Sequence, residues 1–184
     1  IAFDGDGDRA FMVDENGERT MVGMEQSHFN EITLNLAEIN AEDLVVWPIW
    51  REAFSSDLKT VQAKGCRTIV GLRALNSGIS ADIVIGSAWE LPESFTPDKY
   101  LANFERIIVT NNQDGAIEYS KQGEIKKLIA NKDVVDATGA GDAFLCGIIK
   151  GLVENLSNDD AMEIASKWAA LTISTKRSIP PKWN

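Results

Sequence analysis

The string Asp136-Ala137-Thr138-Gly139-Ala140-Gly141-Asp142-Ala143-Phe144 holds the residues of this chain best suited to chemistry. Gly139 and Gly141 flank Ala140 where the chain turns into an amphipathic helix whose apolar periodicity runs to about Asn155. Small residues let backbone N–H groups approach an anion closely. The first N–H groups of a helix also lack partners inside it and carry the positive end of its dipole. The backbone of Gly139, Ala140 and Gly141 therefore suits a phosphoryl group in transfer, a reaction that needs mainly positioning and electrostatic stabilisation. Asp142 is embedded in the same turn. Like charges repel at close range, so a carboxylate beside a phosphate is best explained as a general base that takes the proton of an attacking hydroxyl. Read in isolation, the string also fits a plain glycine turn with Asp142 as a first-turn acid that complements the helix dipole.

The elements that must position this turn are legible as alternating strand and helix patterns. Two short strand-like stretches at 11–13 and 19–21 are separated by Asp14-Glu15-Asn16-Gly17 and predict a hairpin. The continuous apolar run at 44–47 is followed by a helical pattern from about Arg51 to Lys64, which Gly65 stops. Further strands are expected at 68–70, 82–85 and 106–109, the last after a helix over 97–103. Apolar runs without alternation suit strands buried on both faces, as in a parallel sheet. A second hairpin, 116–119 with 124–129, should turn at Gln122-Gly123. A last helix opens at Ser157 and Asp160 and runs to about Thr175.

The signature string closely resembles that of the ribokinase-type (PfkB) carbohydrate kinases, Asp-Thr-Thr-Gly-Ala-Gly-Asp followed by a small residue and Phe, with Ala137 as its departure. Two further motifs match in part. The Thr-x-Gly-x-x-Gly that ends a strand beside the nucleotide in that family is represented by Thr110, Asn112 and Gly115, with Asn112 in place of the middle glycine. The Asn-x-x-Glu linked to its magnesium shell is represented by Ser87-Ala88-Trp89-Glu90, which keeps only the acid. Ala169-Ala170-Leu171-Thr172 resembles the family's segment near the adenine.

The resemblance implies an α/β, ribokinase-like three-layer sandwich with a central, mainly parallel sheet. Residues 1–23 would form a small β hairpin lid and 24–184 a single nucleotide-binding and catalytic domain. It implies ATP and Mg²⁺ as cofactors and a sugar or nucleoside hydroxyl as acceptor. Asp142 would be the base, with Gly139, Ala140 and Gly141 as the anion hole. Thr110, Asn112, Gly115, Thr138 and Ala170 would face the nucleotide, Asp136 would position the loop or a metal-bound water, and Glu90 would belong to the metal environment. In that family such a hairpin often pairs between subunits, and its edge is a physically reasonable docking surface for a homodimer, with the oligomeric state left open. The family's N-terminal strand, sugar-contacting Asp and Gly-Gly-x-x-x-Asn motif have no counterpart here, so the expectation is an N-terminally trimmed chain lacking most acceptor contacts. A nucleotide-binding module without turnover is the alternative.

Other motifs compete less well. No Gly-Lys-Ser/Thr follows the glycine turn, which excludes a P-loop, and Phe144 occupies the third glycine position of a dinucleotide fingerprint. Asp4, Asp6 and Asp8 resemble the magnesium loop of phosphohexomutases, but no Ser-His-Asn-Pro loop accompanies them, and Ser27-His28-Phe29-Asn30 is the nearest string. An EF-hand fails because Arg9 stands where Gly is required. His28 is the sole histidine, so a histidine-centred triad has few ways to form. Cys66 and Cys146 lie in no metal or redox spacing and read as free thiols of a reducing cytoplasm. A net charge of −10 disfavours nucleic acid and anionic membranes, and no apolar run reaches the length of a bilayer span. The tryptophans read as core or interface anchors, with Trp168, Ile164 and Leu171 as a core stripe of the last helix.

Overall fold

The computed structural model describes residues 2–3, 9–13, 19–23, 36–128 and 134–175. Strands β1 (Ala2–Phe3), β2 (Arg9–Val13) and β3 (Arg19–Gly23) form an antiparallel sheet in that order, with Val13 opposite Arg19. The expected hairpin is present, and β1 adds a strand too short to carry a periodic signal. The hairpin turn, the alternating aspartates 4, 6 and 8, His28, Trp183 and the pair Lys176 and Arg177 lie outside the described residues.

The second sheet has six strands in sequential order: β4 (Leu44–Trp47), β5 (Arg67–Gly71), β6 (Ala81–Ser87), β7 (Phe104–Thr110), β8 (Ala116–Ser120) and β9 (Gly123–Lys127). The first four run parallel, and β8 and β9 return antiparallel. The unbroken apolar runs are explained by burial on both faces. Trp47, Val70, Val84 and Ile107 pack on one side with Leu58 and Val61 of α1 (Ser55–Ala63). Ile69, Ile83, Ile85 and Ile108 pack on the other with α3 (Ala140–Val153) and α4 (Asn158–Ile173). Between β6 and β7 the short α2 (Pro97–Tyr100) buries Tyr100.

Several boundaries differ from the sequence reading. The stretch 52–54 is a 3₁₀ turn, so α1 begins at Ser55; α2 is a single turn ending at Tyr100. The second hairpin turns at Lys121-Gln122, one residue early, because the Ser120 hydroxyl accepts from the Gln122 N–H and donates to the Gly123 carbonyl, both at 3.2 Å. Trp47 and Trp50 are core residues as expected, whereas Trp89 is 71% exposed. The stripe Ile164, Trp168 and Leu171 is only half-buried, and the core face of α4 is instead Ala161, Met162, Ala165 and Ala169. Small residues are required there because α3 lies in backbone contact with α4: a Cβ on Gly147 would stand 2.4 Å from the Ala165 Cα, and one on Gly151 2.4 Å from the Ala161 Cβ.

A buried ion pair ties the sheet to the start of α4. Arg106 donates from Nε and Nη2 to Glu118 at 2.8 and 2.6 Å, and the Asn158 side-chain amide donates to the same carboxylate at 2.8 Å. Glu118 is fully buried. Both cysteines are free, Cys66 buried and Cys146 exposed. Among the described residues no helix is long and apolar enough to cross a membrane. Replacing Glu118 by Ala strands the Arg106 charge in the interior and is expected to lower folding stability by about 3–5 kcal/mol. A urea titration of the variant against the parent chain measures this, and a loss within error of zero contradicts the assigned role.

Candidate active site

The glycine turn sits at the carboxyl edge of the parallel strands. Arg67, the first residue of β5, reaches the Leu152 carbonyl near the end of α3 at 3.4 Å, so α3 runs antiparallel to the strands and its first turn lies toward their carboxyl ends. The backbone N–H groups of Val135 and Asp136 donate to the Ile173 carbonyl at 2.8 and 3.2 Å, which fastens the approach to the turn onto the end of α4. Gly139 then takes φ of 78°, a left-handed conformation that favours glycine, and caps α3. Its carbonyl accepts from the Ala143 N–H at 2.9 Å, the first bond of the helix.

The groups predicted for anion binding divide. Ala140 directs its N–H to the Ala137 carbonyl at 3.3 Å, whereas the Gly141 N–H has no acceptor among the described residues. A Cβ built on Gly141 would meet nothing within 4 Å, so the backbone here is open to a ligand. Asp136 Oδ1 accepts from the Thr138 N–H at 2.9 Å and braces the turn. That hydrogen bond, with a smaller one from the Thr138 side chain, holds the Asp136 carboxyl below the usual aspartate range. Asp142 is exposed in the first turn of α3. Its charge reaches Cys146 one turn on: partial desolvation of the thiol, although the residue as a whole is exposed, and then Asp142 push that thiol above its ordinary value. Ala170 is buried in the last turns of α4.

The ends of β6 and β7 complete this edge, with Ser87 paired to Thr110. Thr110 donates its hydroxyl to the Gly86 carbonyl at 3.2 Å. Beyond it a tight loop closes, with the Asn111 N–H donating to the Gly115 carbonyl at 2.8 Å and the Asn111 side chain donating to Asp114 at 3.0 Å. Asn112 has φ of 45°, which accounts for its standing in a glycine position: asparagine tolerates the left-handed region better than other side chains. Gly115 admits no such exchange, because its φ is 85° and a Cβ would lie 2.0 Å from the Lys127 carbonyl oxygen.

Glu90 folds back under β6, where its Oε2 accepts from the Ser87 N–H at 2.9 Å and its Oε1 lies 3.7 Å from Arg73 Nε. The bare Gly86 makes room for it, since a Cβ there would stand 2.5 Å from Glu90 Oε2. Ser87 three residues before Glu90 is a capping-box spacing, a local signal that foretells this contact. Arg73 is a partner that no spacing announces. Among the described residues no group of three or more His, Cys, Asp or Glu side chains could hold a metal ion.

Residues 97–184, which carry the β7 loop and the glycine turn, match the model of the pfkB family carbohydrate kinases. Over that stretch, just under half of its length, the chain is similar to the pfkB family. It is 39% identical over 67 residues to inositol 3-kinase of Arabidopsis thaliana, covering 36% of this chain and 19% of that protein. It is 28% identical over 94 residues to a nucleoside kinase of Methanocaldococcus jannaschii, covering 50% of this chain and 31% of that one. In fold it is similar to the Burkholderia thailandensis nucleoside kinase solved with inosine, with a TM-score of 0.73 at 19% identity over 92% of this chain and 62% of that one. It is similar also to the ribokinase of Thermotoga maritima, with a TM-score of 0.72 at 18% identity over 94% and 65% of the two chains. The fold is thus ribokinase-like, and this chain spans less than two thirds of those solved chains. Glu90 lies outside the stretch matched to the pfkB family.

Two outcomes follow for this edge. Gly115→Ala should destabilise the chain by about 1–3 kcal/mol from backbone strain alone, whereas Asn112→Gly should change stability by less than about 1 kcal/mol; paired denaturation curves report both. Because the folded pKa of Asp136 is depressed, its contribution is fully present above the unfolded aspartate value and is lost as pH falls through the folded one. Hydrogen exchange at the Thr138 amide should therefore lose its protection in acid below the ordinary aspartate range, and in Asp136→Ala at every pH.

Proposed function

We propose that this chain is the nucleotide-binding and catalytic part of a kinase that transfers the terminal phosphoryl group of ATP to a hydroxyl of a sugar or nucleoside-like molecule. The observation that carries the reading is Asp142 in the first turn of a helix capped by left-handed Gly139, on the same sheet edge as Thr110 and Glu90. The match to the pfkB family model over 97–184 and similarity to relatives named as inositol, sugar and nucleoside kinases support it.

In this reading the phosphate chain lies along residues 139–141. The Gly141 N–H, which has no acceptor among the described residues, and the open space above it accept the moving phosphoryl group, and the positive end of the α3 dipole stabilises the charge that develops there. The acceptor oxygen attacks the terminal phosphorus, the bond to the bridging oxygen of the departing diphosphate breaks, and the acceptor proton passes to Asp142. Asp136 keeps the turn in shape through Thr138. Magnesium bound with the nucleotide would screen phosphate charge and keeps most of its waters in such sites. Glu90 would orient those waters through Oε1, which lies 3.7 Å from Arg73 Nε, while its Oε2 is held by the Ser87 N–H.

A second reading, nucleotide binding without turnover, is favoured by the exposure of Asp142 and by Ser87 in the place of the family's asparagine. One experiment separates the two. The chain is incubated with ATP, Mg²⁺ and a panel of sugars, inositols and nucleosides, beside Asp142→Asn. The kinase reading expects turnover on at least one acceptor, reduced about 10²–10⁴-fold in the variant while nucleotide affinity is retained. Turnover that survives the substitution removes Asp142 as the base. Nucleotide binding with no turnover in either protein supports the second reading.

A further inference from the structure

The amino ends of β4 to β7 and the turn between α3 and α4 enclose a cleft of about 560 Å³, a size that small organic ligands commonly fill. It opens on the edge of the sheet opposite to Asp142 and shares no residue with the site above.

Three cations converge on it: Arg67, Arg106 and Lys121. Arg106 is immobilised from behind, with Nε and Nη2 engaged by the fully buried Glu118 and Glu118 held in turn by Asn158. Its Nη1 has no partner among the described residues. A guanidinium locked in this way offers its remaining N–H edge to a ligand with little further loss of side-chain freedom. Arg67 and Lys121 are exposed on either side, Arg67 from the first residue of β5 and Lys121 from the β8–β9 turn.

The cleft carries acceptors as well. Asp82 Oδ2 receives the Thr68 N–H and hydroxyl, both at 2.6 Å, which leaves its second oxygen open among the described residues. Glu105 adds an exposed carboxylate. Two carboxylates so placed would repel an extended polyanion. They would accept hydrogen bonds from hydroxyl groups, while the three cations suit one compact anionic head.

We propose that this cleft binds a phosphorylated polyhydroxy compound, with the phosphate toward Arg67, Arg106 and Lys121 and the hydroxyls donating to Asp82 and Glu105. Its place on the far edge of the sheet makes the occupant an effector and not the phosphoryl acceptor.

Calorimetric titration of the whole chain with fructose 6-phosphate tests this, run with a saturating non-hydrolysable ATP analogue so that the glycine turn is occupied. Fructose and inorganic phosphate are titrated separately. The sugar phosphate should bind about tenfold or more tightly than either component. The double variant Arg67→Ala, Lys121→Ala should weaken it about tenfold or more with an unchanged thermal melt. The proposal is overturned if no binding is seen, if inorganic phosphate binds as tightly as the sugar phosphate, or if the double variant binds unchanged.

Discussion

Gly147 and Gly151 allow α3 to lie directly against Ala165 and Ala161, with nothing larger than an alanine methyl between the helices at those two positions. The placement of the glycine turn depends on that contact. It sets the helix pair close over Ile69, Ile83, Ile85 and Ile108, and so brings the first turn of α3 to the carboxyl edge of the sheet. A side chain at either glycine would have to displace the backbone of α4, since the nearest atoms belong to Ala165 and Ala161 themselves. The same displacement would pull the Ile173 carbonyl from the Val135 and Asp136 amides and loosen the approach to Gly139.

The two edges of the sheet use opposite electrostatic designs. At the carboxyl edge, positive character comes from backbone amides and the start of a helix, held in place by short local hydrogen bonds such as that from Thr138 to Asp136. At the amino edge it comes from side-chain cations, one of them fixed by a buried carboxylate. Backbone donors cost little to hold in position once the turn is formed, which suits an anion that must change its bonding in place. A locked guanidinium suits recognition of a ligand that stays intact.

The glycine turn, the parallel strands and the close of α1 at Gly65 were all legible because each rests on a local cause: missing Cβ atoms, burial on both faces, or a positive φ. Asn112 was legible as a departure from a motif and became intelligible only with its φ of 45°, a left-handed conformation that asparagine tolerates. Ser87 and Glu90 carried a capping signal in their spacing. The half-burial of Trp168 was not legible, because amphipathic spacing alone marks two faces of α4 and only the approach of α3 selects the one made of alanines.

By itself the sequence determined the order of strands and helices from β2 onward and the glycine turn on which the proposed chemistry of residues 136–144 rests, since both follow from neighbouring residues along the chain. The tertiary structure alone decided which distant groups meet: Arg73 with Glu90, Arg106 with Glu118 and Asn158, and the cations of the amino-edge cleft with one another. The physical reason is that ion pairing and close packing act through space between segments whose separation along the chain carries no pattern, and they are specified only once the sheet has set the register of its strands.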